Sequence, residues 1–139
     1  MADLYETTAR VILTSGPLVL CAGAWDEDFC ILPGGHVDPG EHALQTVRRE
    51  LYEECDIPLA SVVKLSVLPN LWTRGTDLVH ETMHLYAATA RGTLGGALPR
   101  SPEAKTVLRW ASVDDLVMGR VHLQPPALLP WVIRVAGGR

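Results

Sequence analysis

Glu50, Glu53 and Glu54 stand within five consecutive positions of the 139-residue chain. On a helix, where each residue turns by about 100°, that spacing gathers the three carboxylates on one side. Like charges so placed cost an isolated helix roughly 0.2–0.5 kcal/mol per pair, so the cluster calls for compensating cations. Arg49 supplies one, reaching Glu53 at i+4. A divalent cation would supply more: Mg²⁺ and Mn²⁺ take oxygen ligands, keep several waters and bridge to phosphates. The chemistry within reach is therefore metal-assisted work on a phosphorylated substrate. A bland alternative is a solvated acidic helix face, the usual meaning of a charge run.

The elements that must position these acids are legible around them. Residues 8–13 and 18–22 are β-branched and apolar runs separated by Thr14-Ser15-Gly16-Pro17, which predicts two strands and a turn. A short third run, 29–32, stops at Pro33-Gly34-Gly35. Asp38-Pro39-Gly40-Glu41 then reads as a turn, with Glu41 near a helix start where an acid suits the dipole, and the helix is expected to run to about Glu54. Its apolar stripe is predicted as Leu44, Val47, Leu51 and Cys55. Residues 62–68, 79–90 and 107–111 suit further strands, with a Gly- and Pro-punctuated loop over 91–106. A short helix is expected after Ser112 as its cap, and a last one over 126–135.

From Gly35 there are five residues to Glu41, seven more to Arg49, and then Glu50-Leu51-Tyr52-Glu53-Glu54-Cys55-Asp56-Ile57. This resembles the Nudix box, G-x5-E-x7-R-E-U-x-E-E-x-G-U with U aliphatic, at eight of its nine specified positions. The departure is Asp56, where the pattern has the Gly that ends a helix in the left-handed conformation; Asp enters that region at some cost, which predicts a reshaped turn.

The resemblance implies one Nudix hydrolase domain over residues 1–139, box at 35–57, with an α+β fold: an α/β/α sandwich around a mixed β-sheet. It implies a metal-dependent, MutT-like pyrophosphohydrolase that cleaves the diphosphate linkage of nucleoside diphosphate derivatives, taking NDP-X to NMP plus P-X or NTP to NMP plus PPi. Carried over by position, Glu50, Glu53 and Glu54 would hold Mg²⁺ or Mn²⁺, with the carbonyl oxygen of Gly34 or Gly35 completing the sphere. Arg49 would orient the glutamates, and Glu41 would have a mainly structural role at the helix start. The general base is left open between Glu53 or Glu54 and a carboxylate from later segments, Glu81 or Glu103, for each of which a surface or salt-bridge role is the commoner fate. Candidates for touching substrate are Trp72, Tyr86 and His84, and Trp25 and Trp110 are further aromatics that could stack on a base. Within the family the substrate is open. The Pro resembling the ADP-ribose marker would fall near Thr73, while the nearest is Pro69, and neither the Tyr of dinucleoside polyphosphate hydrolases nor a coenzyme A motif is evident.

Two other readings stand beside this one. A Nudix-like module could bind a nucleotide or a partner protein without turnover, a reading that loss of a box carboxylate would favour; none is lost. His80-Glu81-Thr82-Met83-His84 also matches H-E-x-x-H, the zinc-protease pattern. Its surroundings suit a strand, where the two His would share a face about 13 Å apart, too far to chelate one zinc.

Composition sets the outer bounds. With 47% hydrophobic and 20% charged residues the chain fits one soluble domain, and a net charge of −4 argues against a nucleic acid polymer as partner. The apolar runs are too short or interrupted to cross a bilayer. Three cysteines without metal spacing and no secretory segment predict a reducing, cytoplasmic setting. The expected partner is a small nucleoside diphosphate derivative, and a homodimer is left open.

Overall fold

Side-chain alternation along three long strands decides the architecture. The computed structural model describes residues 1–23, 29–55, 59–90 and 107–137, the Glu54 and Cys55 side chains excepted. Its elements are β1 (Asp3–Ser15), β2 (Leu18–Ala22), β3 (Phe29–Cys30), β4 (Gly34–His36), α1 (Ala43–Cys55), β5 (Leu59–Arg74), β6 (Asp77–Ala90), β7 (Leu108–Ser112), α2 (Val113–Val117), β8 (His122–Leu123) and α3 (Leu129–Gly137). The sheet runs β5-β6-β1-β2-β7, with β4 also on β1. β1 and β6 are parallel from Asp3↔Leu78 to Leu13↔Ala88, whereas β5–β6, β1–β2, β1–β4 and β2–β7 are antiparallel. The sheet is mixed, as expected.

Because side chains alternate, one face of β1 and β6 presents Ala9, Val11, Leu13, Tyr86 and Ala88 to Val47 and Leu51 of α1. The other presents Ile12, Met83 and Leu85 to Leu116 of α2, to Leu128 in the turn just before α3 and to Val132 of α3. Helices on both faces make the sandwich. Complete burial of Val47 and Leu51 contributes roughly 1.5–3 kcal/mol each, which fixes α1 and everything it carries against the sheet.

Several expectations are corrected. Leu44 is 39% exposed and does not belong to the buried stripe; Ala43 packs there instead, one turn before Val47. Cys55's side chain lies outside the described residues. β1 begins five residues earlier than its apolar run, because its half-open first part alternates polar and apolar residues and is held by the ladder to β6. β5 continues past Pro69 to Arg74, which an edge strand tolerates. Residues 34–36, where the third apolar run is expected to stop, form a strand on β1. Ser112 occupies the cap position of α2, but its side chain makes no capping hydrogen bond. Cys21 and Cys30 are free thiols brought together in the core, Sγ to Sγ 3.1 Å; the hydrogen bond between them and burial push the Cys21 thiol up. No helix among the described residues is long and apolar enough to cross a membrane.

Candidate active site

The helix that carries the acids is started by its own side chains. Gln45 accepts a hydrogen bond from the backbone N–H of His42 at 2.9 Å, satisfying a donor at the helix start as the acceptor half of a capping box does. Glu41 stands just ahead. Its carboxylate accepts from Thr46 Oγ1 at 2.6 Å and from the backbone of Asp38 at 3.2 Å, tying the turn to the first helical turn.

Arg49 is the centre of the cluster. Its guanidinium meets Glu41 at 2.9 Å, Glu50 at 3.0 Å, Glu53 at 3.3 Å and Asp38 at 3.4 Å. A further N–H reaches the carbonyl of His36 at 3.3 Å. The planar fork of five donors allows one side chain to hold so many acceptors, which an ammonium could not match. Four carboxylates share one cation, so the cluster keeps a surplus of negative charge. Glu50 is more enclosed than Glu53, its side chain 17% exposed against 38%. Glu54's side chain lies outside the described residues; its place on α1 is one residue past Glu53.

The neighbouring glycines leave the acids room. A Cβ on Gly35 would stand 2.6 Å from Glu50 Oε1, so only a bare backbone admits the carboxylate there. Gly34 has φ +145°, and a Cβ on it would enter the backbone of Ala9 in β1. The result is a β4 pressed onto β1 with Glu50 against the Cα of Gly35. Among the described residues no three His, Cys, Asp or Glu side chains are already arranged around a metal position; the carboxylates of Glu41, Glu50 and Glu53 converge on Arg49 and hold more charge than it neutralises, and they are oxygen donors of the kind a hard divalent cation takes.

The network is also a pH statement. Arg49 above all, and Thr46 second, hold the Glu41 carboxyl at about 2, below its ordinary 4.5. A depressed folded value means that the unfolded chain binds more protons between those limits. The contribution of Glu41 to stability is therefore complete above about pH 4.5 and lost as pH falls toward 2. Urea unfolding of wild type and Glu41→Gln is expected to show a gap at pH 6 that narrows at pH 3; a gap independent of pH would contradict this origin.

Glu81 sits elsewhere. It lies on β6 in alternation with Met83 and Leu85, on the sheet face away from α1. It is 9% exposed and accepts hydrogen bonds from Thr8 Oγ1 at 2.6 Å, Asn70 Nδ2 at 3.1 Å and Trp72 Nε1 at 3.1 Å. With Trp72 it lines a cavity of about 640 Å³, whose other walls include Arg10, Leu32 and Met83. Leu32 is three residues before Gly35, and Arg10 pairs with Gly34, so the cavity and the carboxylate cluster share the β1–β4 segment from opposite faces of the sheet. A second concavity of about 580 Å³, bordered by Tyr5, Glu6 and His80, adjoins the first and shares Asn70, Leu71 and Glu81 with it.

A family model described as NUDIX domain matches residues 4–132. The chain belongs to the Nudix family. A Caenorhabditis elegans protein named as a nudix hydrolase is 30% identical over 98 residues, 60% of this chain but 36% of the relative's own length. A MutT Nudix hydrolase from Burkholderia pseudomallei superposes with a TM-score of 0.64 at 25% identity, covering 81% of this chain and 86% of that one. A Nudix hydrolase from Nitrosomonas europaea gives 0.70 at 17% identity over 96% and 89% of the two chains, a likeness of fold.

Against that Nudix frame the remaining candidates sort by position. Gly34, Gly35, Arg49, Glu50 and Glu53 come together; Trp72 and Glu81 meet in the cavity and are separate from them. Tyr86 is corrected: it is 6% exposed and packs in the core beneath α1, leaving no ring face for a ligand. His84 is on the α1 side, with Nδ1 3.4 Å from Lys64 Nζ, and burial first, Lys64 second, lowers its pKa. The H-E-x-x-H run is a strand: His80 pairs with Asp3 at 3.0 Å and stacks on Tyr5, away from His84. Trp110 packs on the core edge. Trp25, Asp56 and Glu103 fall outside the described residues. Sequence reasoning did not single out Thr8, Arg10, Asn70 or Gln124, which complete the cavity or the shell of Glu81.

Proposed function

We propose that this Nudix protein is a metal-dependent hydrolase that cleaves the diphosphate linkage of nucleoside diphosphate derivatives. The observation that carries the reading is the Arg49-centred gathering of Glu41, Glu50 and Glu53 against Gly35; the cavity joined to it through the β1–β4 segment has the volume to take the rest of a nucleotide. Mg²⁺ or Mn²⁺ held by Glu50, Glu53, Glu54 and the carbonyl of Gly34 or Gly35 would polarise the phosphates and neutralise their charge.

The chain's own groups do the rest. Arg49 fixes the carboxylates before substrate arrives, so little reorganisation is left for the reaction. A carboxylate oxygen of Glu53 or Glu54 takes a proton from the attacking water. The water oxygen bonds to one phosphorus while the bridging P–O bond breaks, and the leaving phosphate keeps the electron pair. Glu81, tied on the other face, supports substrate holding better than proton transfer.

Product analysis by ³¹P NMR over a panel of nucleoside triphosphates and nucleotide sugars, with and without Mg²⁺ or Mn²⁺, tests the reading. Metal-dependent NMP formation is expected. Nucleotide binding without turnover across the panel would favour a binding module, and zinc-dependent peptide cleavage would overturn the assignment. Gly35→Ala, which must push Glu50 aside, is expected to lower turnover by roughly tenfold to a hundredfold; an unchanged rate would mean Glu50 need not lie against β4.

A further inference from the structure

We propose that Glu81 reads the base: the cavity accepts nucleobases with an exocyclic amino group and rejects uracil and thymine. The proposal rests on the nucleotide reading above for the class of molecule that arrives, and on the cavity for its selectivity.

Phe29, Leu32, Met83 and Leu128 give the 640 Å³ cavity apolar walls suited to the faces of a flat ring. Into these walls projects one carboxylate; Arg10, which donates to the Leu32 carbonyl at 3.3 Å, and Gln124 line the same cavity. Glu81 Oε1 is taken by Asn70 and Trp72, and Oε2 by Thr8. An ionised carboxylate accepts at about four positions, so its orientation is fixed and a remaining acceptor position is left on Oε2. What Glu81 can offer a ligand is acceptance alone.

Guanine, adenine and cytosine each carry an amino group that donates, and guanine adds an adjacent ring N–H. Uracil and thymine flank their ring N–H with carbonyl oxygens, and those lone pairs would face a carboxylate that cannot turn away. Repulsion of that kind is strong where water is excluded and serves as discrimination against the wrong ligand. The geometry also allows the reach. From Leu32 in the wall to Gly35 beside Glu50 is three residues, at most about 10 Å of extended chain, a span that a nucleoside bridges between its base and its first phosphates.

The test is equilibrium binding of GMP, AMP, CMP, UMP and TMP, measured by calorimetry without turnover. Wild type is expected to hold the three amino-bearing monophosphates roughly tenfold to a hundredfold more tightly than UMP and TMP. In Glu81→Gln, whose amide can donate to a carbonyl, the gap should close or invert. If that variant does not fold, Glu81→Asp, which withdraws the carboxylate by one methylene, should narrow the gap. Equal affinity for all five in wild type, no binding of any, or a uniform loss in the variants with the gap intact would each overturn the proposal. Selectivity without hydrolysis of any triphosphate would retire the hydrolase reading alone; hydrolysis without selectivity would retire this one alone.

Discussion

Replacing Glu53 and Glu54 together by Gln is expected to lower metal-dependent turnover by at least about a thousandfold while leaving the fold intact. The substitution keeps shape and removes charge. Glu53 is more open than Glu41 and Glu50, its side chain 38% exposed, and Glu54 follows it on α1. Their amides would neither take a proton from water nor hold a hard cation, and their N–H groups would point donors at a site built from acceptors. Stability should change by no more than about 0.5 kcal/mol, because an i,i+4 contact with Arg49 is weakened while like-charge repulsion is relieved. Arg49 keeps Glu41 and Glu50. Initial rates at saturating Mg²⁺, paired with urea unfolding of the same samples, check both halves. A variant with more than a tenth of the wild-type rate would remove these two residues from the chemistry.

Gly34→Ala is expected to cost stability instead, about 3–5 kcal/mol, out of a total that for a domain of this kind is about 5–15 kcal/mol. The residue has φ +145°, a region left almost wholly to glycine, and the added carbon would meet the carbonyl of Ala9 and the Cα of Arg10. Those atoms belong to a strand buried between two helical layers, so relief would require β4 to leave β1. That in turn would take Gly35 from Glu50 and loosen the cavity wall at Leu32. Urea unfolding would register the loss as a lower midpoint. A decrease under 1 kcal/mol would mean that β4 is not pressed onto β1 as described.

How much of this was legible in the sequence depended on whether the information was local. The box acids could be placed because helical spacing alone puts Glu50 and Glu53 beside Arg49, and the glycines before them are consecutive. Glu81 was legible as a candidate but not in its role, since face and neighbours depend on strand register. The missing signal was the turn Arg74-Gly75-Thr76-Asp77. Read as a two-residue hairpin loop, it pairs Arg74 with Asp77 and carries the register back to Asn70 opposite Glu81. Pro69 hid the strand that contains Asn70 and Trp72, because a proline argues against strand except at an edge, and edges are a tertiary fact. The parallel pairing that brings Thr8 to Glu81 joins residues 73 apart, and no local pattern could announce it. Leu44 went the other way: an apolar residue at plausible spacing was left outward because Ala43, one position back, faces the sheet more squarely.

The most direct test of the central claim is one Mn²⁺ titration that follows bound metal by electron paramagnetic resonance and NMP release from a substrate of the panel in the same samples. The account predicts that the two curves rise together in wild type, and that the Glu53→Gln, Glu54→Gln variant loses both. Turnover that is complete before metal binds, or metal binding that survives removal of the two carboxylates unchanged, would contradict it.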